Sequence, residues 1–285
     1  MTGVSPPTPT GARTRADRCP GLARPWIADD GALVRLRLLG GAVGADQLAA
    51  LLDVAEAHGD GAVHLTRRAN LQLRALPHDG EGRLRPDVAD AVLATGLVPS
   101  ASHELVRNYL LSPGLGATRA DLRPLLSALD AAVCGSRSLA RLSARFLVVL
   151  DDGGGEVLDR PCDLGLVALS GTRAQLRVGD GLGPVIDLTD AVPALVALAE
   201  TFAEARGTGP DAPWHVTELP APLDHPLAVP TPPDPALPAP TGAPPYDAAH
   251  VAVPDGRLTR GLPLPAGDLV VTPWRSVVPD PRRAA

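Results

Sequence analysis

LVRLRLLGGAVGADQLAALLDVAEAHGDGAVHLTRRANLQLRAL, residues 33–76, is the stretch whose reading decides the fold. It reads as strand, tight turn, helix, strand, hairpin, strand. In LVRLRL the side chains alternate, and the two-residue period of a strand sends Val34, Leu36 and Leu38 to one face and Arg35 and Arg37 to the other. NLQLRAL repeats the pattern, with Leu71 and Leu73 on one face and Asn70, Gln72 and Arg74 opposite. Between them Leu48, Leu51, Leu52 and Ala55 fall at helical spacing, so a helix over 45–58 can cover the apolar face. What remains is a sheet face carrying guanidinium groups and amides. Two readings of it compete: an ordinary solvated face, and a platform for an anion with several carboxylates, which planar guanidinium forks pair in bidentate fashion. Arg67 and Arg68 add charge at the hairpin, where strand parity no longer tells which way a side chain faces.

Composition narrows the choice of partner. The chain has 285 residues and a formal net charge of −6, which argues against nucleic acid. All 26 basic residues are arginine, so no lysine is present to form a Schiff base or donate a proton. The three cysteines, Cys19, Cys134 and Cys162, are far apart and odd in number; they form neither a disulfide framework nor the four-thiolate set of an iron–sulfur cluster, and no metal site is expected. No apolar run approaches the ~20 residues of a membrane span, and residues 1–16 lack the apolar segment of a secretory signal. The expectation is a cytoplasmic protein with a disordered tail over 1–16 and no membrane or nucleic-acid partner.

Farther along, RLRPDVADAVLATG places Val88, Ala91, Val92 and Thr95 on one helical face, ended by Gly96. A helix is expected over 121–133, with Leu122, Leu125, Leu126 and Leu129 inward, and another over 190–207, with Asp190 as N-cap and Pro193 in its first turn. RFLVVLDDGGGEV reads as a strand and a hairpin turn rather than a phosphate loop, and three more strands follow before the second helix. Eleven of the 32 prolines fall in residues 219–245, an extended linker. After it, Pro263 and Pro265 forbid a helix, so the last segment is expected to add a short β element to the first sheet, with Arg257 and Arg275 near the binding face.

The blocks RCPGLARP (18–25), LVRLRLLGG and LTRRANLQLRAL, in that order, together with VTPWRSVVP (271–279), read as a strand, resemble the nitrite and sulfite reductase superfamily and its precorrin-3B synthase branch, oxygen-dependent oxidoreductases of cobalamin biosynthesis. The resemblance implies an α+β chain: a tail over 1–16, a ferredoxin-like half domain over 17–99, a nitrite/sulfite reductase-type α/β domain over 100–209, a Pro-rich linker over 210–246, a shortened second half over 247–280 and a tail over 281–285. It also implies that Arg107 and Asn108 help bind tetrapyrrole carboxylates. Arg145 and Leu147 stand where the reductases carry two lysines that protonate a siroheme-bound oxyanion. Arginine clamps charge but is a poor proton donor, so this departure argues against nitrite or sulfite reduction.

The tetrapyrrole-binding residues expected are therefore Arg35, Arg37, Arg68, Asn70, Gln72, Arg107, Asn108 and Arg145, with no catalytic group assigned. Family members carry a siroheme-like tetrapyrrole and a [4Fe-4S] cluster held by four cysteines of a further domain, which this sequence does not contain. The expectations that follow are a precorrin-3B synthase-like oxidoreductase incomplete as a single chain, with a separate chain able to supply the iron–sulfur domain; a fragment of a siroheme-dependent reductase; or a non-catalytic tetrapyrrole-binding remnant.

Overall fold

The computed structural model describes residues 17–114, 118–223, 228–232 and 250–280. Its first unit contains strands β1 (Trp26–Ala28), β2 (Gly31–Leu36) and β3 (Ala42–Val43), helix α1 (Ala45–His58), strands β4 (Val63–Leu65) and β5 (Leu71–Leu76), and helix α2 (Pro86–Ala94). The alternation read from the sequence holds: Val34, Leu36, Leu71 and Leu73 are buried in one cluster with Leu48, Leu51 and Leu52 of α1 and Val88 and Val92 of α2. Each such aliphatic side chain contributes about 1.5–3 kcal/mol on leaving water. The turn after β2 needs its second glycine, since a Cβ on Gly41, at φ +83°, would sit 2.3 Å from the Val271 carbonyl.

A second unit follows, with β6 (Tyr109–Leu111), α3 (Arg123–Gly135), β7 (Val148–Asp151), β8 (Leu164–Ala168), β9 (Arg173–Val178), β10 (Gly181–Asp187) and α4 (Ala191–Ala205). Its sheet has the order β10-β9-β8-β7-β6. The β6, β7 and β8 strands run parallel, while β8, β9 and β10 are antiparallel. Leu126, Leu129, Leu195 and Phe202 of the two helices pack on one face, where Phe202 stacks on Phe146 at 5.4 Å. Leu110, Val149 and Cys162 belong instead to the core of the first unit, so the two units share a continuous interior.

Three local expectations change. The glycine run after β7 is not a hairpin turn, because β7 and β8 are parallel. It is closed by Asp151, whose fully buried carboxylate accepts the N–H groups of Gly153, Gly155 and Val157. Asp190 precedes α4 as expected but makes no side-chain capping bond, since a 3-10 turn over Leu188–Asp190 leads into the helix. The TPWR segment is a turn: Arg275 is left-handed at φ 59° and its N–H returns to the Thr272 carbonyl.

That turn joins two strands of the last segment, which comprises β11 (Val251–Ala252), β12 (Arg257–Leu258), β13 (Leu269–Val271) and β14 (Ser276–Pro279). The segment and the first unit exchange strands. β12 extends the first sheet beside β4, giving the order β1-β2-β5-β4-β12, while β3 joins β13 in the order β11-β14-β13-β3. Most of the Pro-rich stretch lies outside the described residues. Its part at 228–232 is held by Gln175, whose side chain donates to the Val229 carbonyl and accepts from Thr231 N–H. No helix among the described residues is long and apolar enough to cross a membrane.

Candidate functional site

The site begins with a clip of backbone at residues 17–25, ahead of β1. Its Leu22 and Ala23 N–H groups both point at the Glu104 carboxylate, at 2.8 and 2.9 Å. Gly21 makes that approach possible, because a Cβ there would lie 2.5 Å from Leu105 Cδ2 and 2.9 Å from Glu104 Oε1. At the start of the clip Asp17 accepts the Cys19 N–H and the Ser143 hydroxyl. Burial would raise the Asp17 carboxyl, yet those hydrogen bonds outweigh it and hold the group below the ordinary carboxylate range. The clip is thus tied to the second unit at both ends and presents Arg18 and Cys19 beside the first sheet.

Between the clip and the sheet lies a cleft of about 500 Å³, lined by Arg18, Cys19, Pro20, Trp26, Leu33, Arg35, Arg68 and Arg145. Four guanidinium groups thus face one space. Leu33 and Arg35 come from β2, Trp26 from β1 opposite Leu33, and Arg68 from the turn between β4 and β5. That turn is set by Thr66, whose hydroxyl accepts the Asn70 N–H, and by left-handed Ala69 at φ 53°. Arg145 enters from the loop before β7, and its own carbonyl accepts Arg68 Nη1 at 3.0 Å. Burial lowers the Arg68 guanidinium from its usual value, with Cys19 and Asp163 opposing it and Arg35 and Arg145 adding to it. The acid nearest these groups is Asp17, 3.9 Å from Arg145 Nε. Arg35 reaches Gln72 at 3.5 Å, and its buried Nε finds no partner among the described residues.

Of the residues singled out from the sequence, Arg35, Arg68 and Arg145 meet in this cleft, with Gln72 beside Arg35. Arg37, Asn70 and Asn108 are somewhere else: behind it, in the joint between the units, while Arg107 lies within the second unit against α3. The far face of the first sheet was expected to be open along its length, and here the second unit covers it. Arg37 and Asn70 are 4% and 0% exposed. Arg37 donates to Asn108 Oδ1 at 2.9 Å and to the carbonyls of Pro20 and Glu104 at 3.3 and 3.2 Å. Burial, with Arg35 adding to it, lowers its guanidinium to about 10, so it stays charged at neutral pH. Asn108 donates onward to the Leu105 and Ala144 carbonyls, and Asn70 accepts the Leu38 N–H. Arg107 forms a bidentate pair with Asp130, 2.7 Å on each arm. Arg257 turns to Asp60 and does not line the cleft, and neither does Arg275.

Arg18, Cys19 and Trp26 were missed as site residues. The signal for Arg18 and Cys19 was present in the RCPG block, whose glycine and proline mark a built turn rather than a loop. Burial and the nearby Asp17 charge raise the Cys19 thiol, so it stays protonated. Cys162 is fully buried in the core and Cys134 ends α3; among the described residues no three metal-ligating side chains converge. The residues present therefore do not form an iron–sulfur site by themselves, whereas the arginine cleft fits a molecule with several carboxylates.

Residues 28–80 match the nitrite/sulfite reductase ferredoxin-like half domain. Over 145 residues, 51% of this chain, the sequence is 32% identical to a precorrin-3B synthase from Sinorhizobium sp, of which the match covers 30%. The fold is similar to that of the Mycobacterium tuberculosis NirA protein, with a TM-score of 0.60 and 16% identity over 90% of this chain and 57% of NirA. The chain is thus similar to a precorrin-3B synthase over about half of its length and has an α+β fold similar to that of NirA, and it spans only 30% and 57% of these two relatives.

Proposed function

We propose that the arginine cleft binds a tetrapyrrole bearing several carboxylates, and that the chain serves precorrin-3B synthase-like oxidoreductase chemistry of cobalamin biosynthesis. The observation that carries this reading is the convergence of Arg18, Arg35, Arg68 and Arg145 on one cleft of about 500 Å³. Their forks would hold the carboxylates, and Trp26 and Leu33 would contact the macrocycle. None of the four can release a proton near neutral pH, so their work is binding and orientation. Leu147, where the reductases carry a second lysine, is buried in the core at 5% exposure, which supports this branch over nitrite or sulfite reduction. In this proposal a [4Fe-4S] cluster would take its ligands from another chain or domain, since the cysteines here do not converge.

The test is a titration with uroporphyrin, an octacarboxylate porphyrin, followed by quenching of tryptophan emission. The triple variant Arg35→Gln, Arg68→Gln, Arg145→Gln is compared with Arg13→Gln, Arg15→Gln in the N-terminal segment. With ~0.2–1 kcal/mol per exposed pair, the cleft variant should lose roughly threefold to a hundredfold in affinity. The tail variant should lose nothing, and binding should weaken as salt rises. Equal losses in the two variants would mean diffuse attraction and would end the reading.

A further inference from the structure

Trp214 lies outside the cleft lining, yet its ring carries one of the cleft's cations: the Arg145 guanidinium carbon stands 4.5 Å from the indole centroid. The segment holding Trp214 is pinned on every side. The Trp214 N–H donates to Glu218 Oε2 at 2.7 Å, and Val216 N–H donates to buried Asp163 at 2.9 Å. His215 Nδ1 accepts the Thr217 N–H, leaving Nε2 to donate to the Cys162 carbonyl at 3.0 Å. Arg206 Nε holds the Pro213 carbonyl at 2.8 Å. So much anchoring of a short segment after α4 fixes where the indole stands. A second stack of the same kind, Arg18 over Trp26 at 5.8 Å, occurs across the cleft.

We infer that Trp214 is a positioning residue: it holds Arg145 by its flat face, so that the N–H edge of the guanidinium stays directed to a carboxylate in the cleft. The physical reason lies in guanidinium geometry. Arg145 is 53% exposed in its side chain, and its nearest acid is only a loose partner at 3.9 Å. An arginine that free would have to lose several rotamers on binding an anion. Stacking on an aromatic face restrains the plane without occupying any of its five donors. A salt bridge would restrain it too, but would consume the donors that the ligand needs. This inference rests on the cleft being an anion site and assigns to Arg145 a positioning partner from outside the cleft lining.

The test is a double-mutant cycle on the full chain with Trp214→Leu, Arg145→Gln and the pair. Two probes are used, uroporphyrin and the small planar hexacarboxylate mellitate, each by calorimetry. Trp214→Leu should weaken binding by about two- to fivefold, the size of one exposed cation–π contact, and Trp214→Phe should restore most of it. In the Arg145→Gln background the same Trp214→Leu change should have no further effect. Equal losses with and without Arg145 would mean that the indole acts on the fold or the ligand directly, and would overturn the inference, as would no loss at all. If mellitate binds with the expected coupling but uroporphyrin does not, the positioning role stands and the tetrapyrrole reading falls. If neither probe binds the unaltered chain, both fall.

Discussion

Arg35 and Arg37 are two residues apart on the same edge of the same strand pattern, and the structure gives them opposite lives. Arg35 looks into a cleft with three other cations, and its one side-chain acceptor is Gln72 at 3.5 Å. Arg37 is sealed in the joint between the two units, where a side-chain amide and two carbonyls take up its Nε and Nη1 while its buried Nη2 finds no partner among the described residues. Arg68 and Arg107 repeat the contrast: the first lines the cleft, the second is locked to Asp130. A buried cation whose partners all come from the protein holds the protein together. A cluster of four like charges with fewer acids near it stores repulsion that an anion relieves. Residue type does not separate the two; the inventory of acceptors around each fork does.

The sharpest way to break this contrast is to remove one partner of a buried pair. Arg107→Ala strands the Asp130 carboxylate with 15% side-chain exposure, and should cost about 3–5 kcal/mol in urea unfolding. If that loss were under 1 kcal/mol, the Arg107–Asp130 pair would not be holding the second unit together. Next comes the clip. Gly21→Ala changes no charge but puts a Cβ 2.5 Å from Leu105 Cδ2 and 2.9 Å from Glu104 Oε1, so both side chains must shift against the clip. A loss of ~1–3 kcal/mol is expected, with weaker uroporphyrin binding because Arg18 and Cys19 shift with the clip. A variant with unchanged affinity would detach the clip from the site.

A buried acid without a bidentate cation provides the pH counterpart. Burial pushes Asp152 up to about 6, with Gly154 N–H opposing and Asp151 adding to it. Its folded value lies above the unfolded carboxylate value of ~3.9, so the folded state favours the proton. This stabilisation is whole below about pH 4 and is lost as pH rises to and beyond 6, on the order of 2–3 kcal/mol. Asp152→Asn should therefore flatten the stability profile between pH 4 and 6, measured by thermal unfolding. The same fall in both proteins would place the titrating group elsewhere. The smallest effect belongs to the cleft: Arg35→Gln should shift unfolding by less than ~0.5 kcal/mol, since Arg35 completes no internal pair. A larger loss would move Arg35 into the structural class with Arg37.

How much of this was readable beforehand differs between strand and site. Period-two alternation placed Val34, Leu36, Leu71 and Leu73 under α1 without any tertiary knowledge, because the alternation is a property of the extended backbone itself. The helices over 45–58 and 86–94 were equally legible, their apolar stripes matching the residues that the core takes up. The far face was legible only as a list of polar residues. Whether Asn70 and Gln72, next-but-one neighbours on that face, are sealed or accessible depends on a unit more than thirty residues away in sequence, and no local pattern carries that distance.

The sequence by itself determined the alternating strands, the helices that cover them, the all-arginine basic set and the glycines of its tight turns, since each follows from dihedral preferences and side-chain chemistry acting over a few residues. The tertiary structure alone decided which arginines became mortar and which became a cleft. It did so by bringing Glu104, Asn108, Ser143 and Arg145 from the second unit against the clip and β2, and by setting Trp214 behind Arg145. A guanidinium's role is fixed by what lies within about 3 Å of its five donors, and here those neighbours come from segments far apart in the chain.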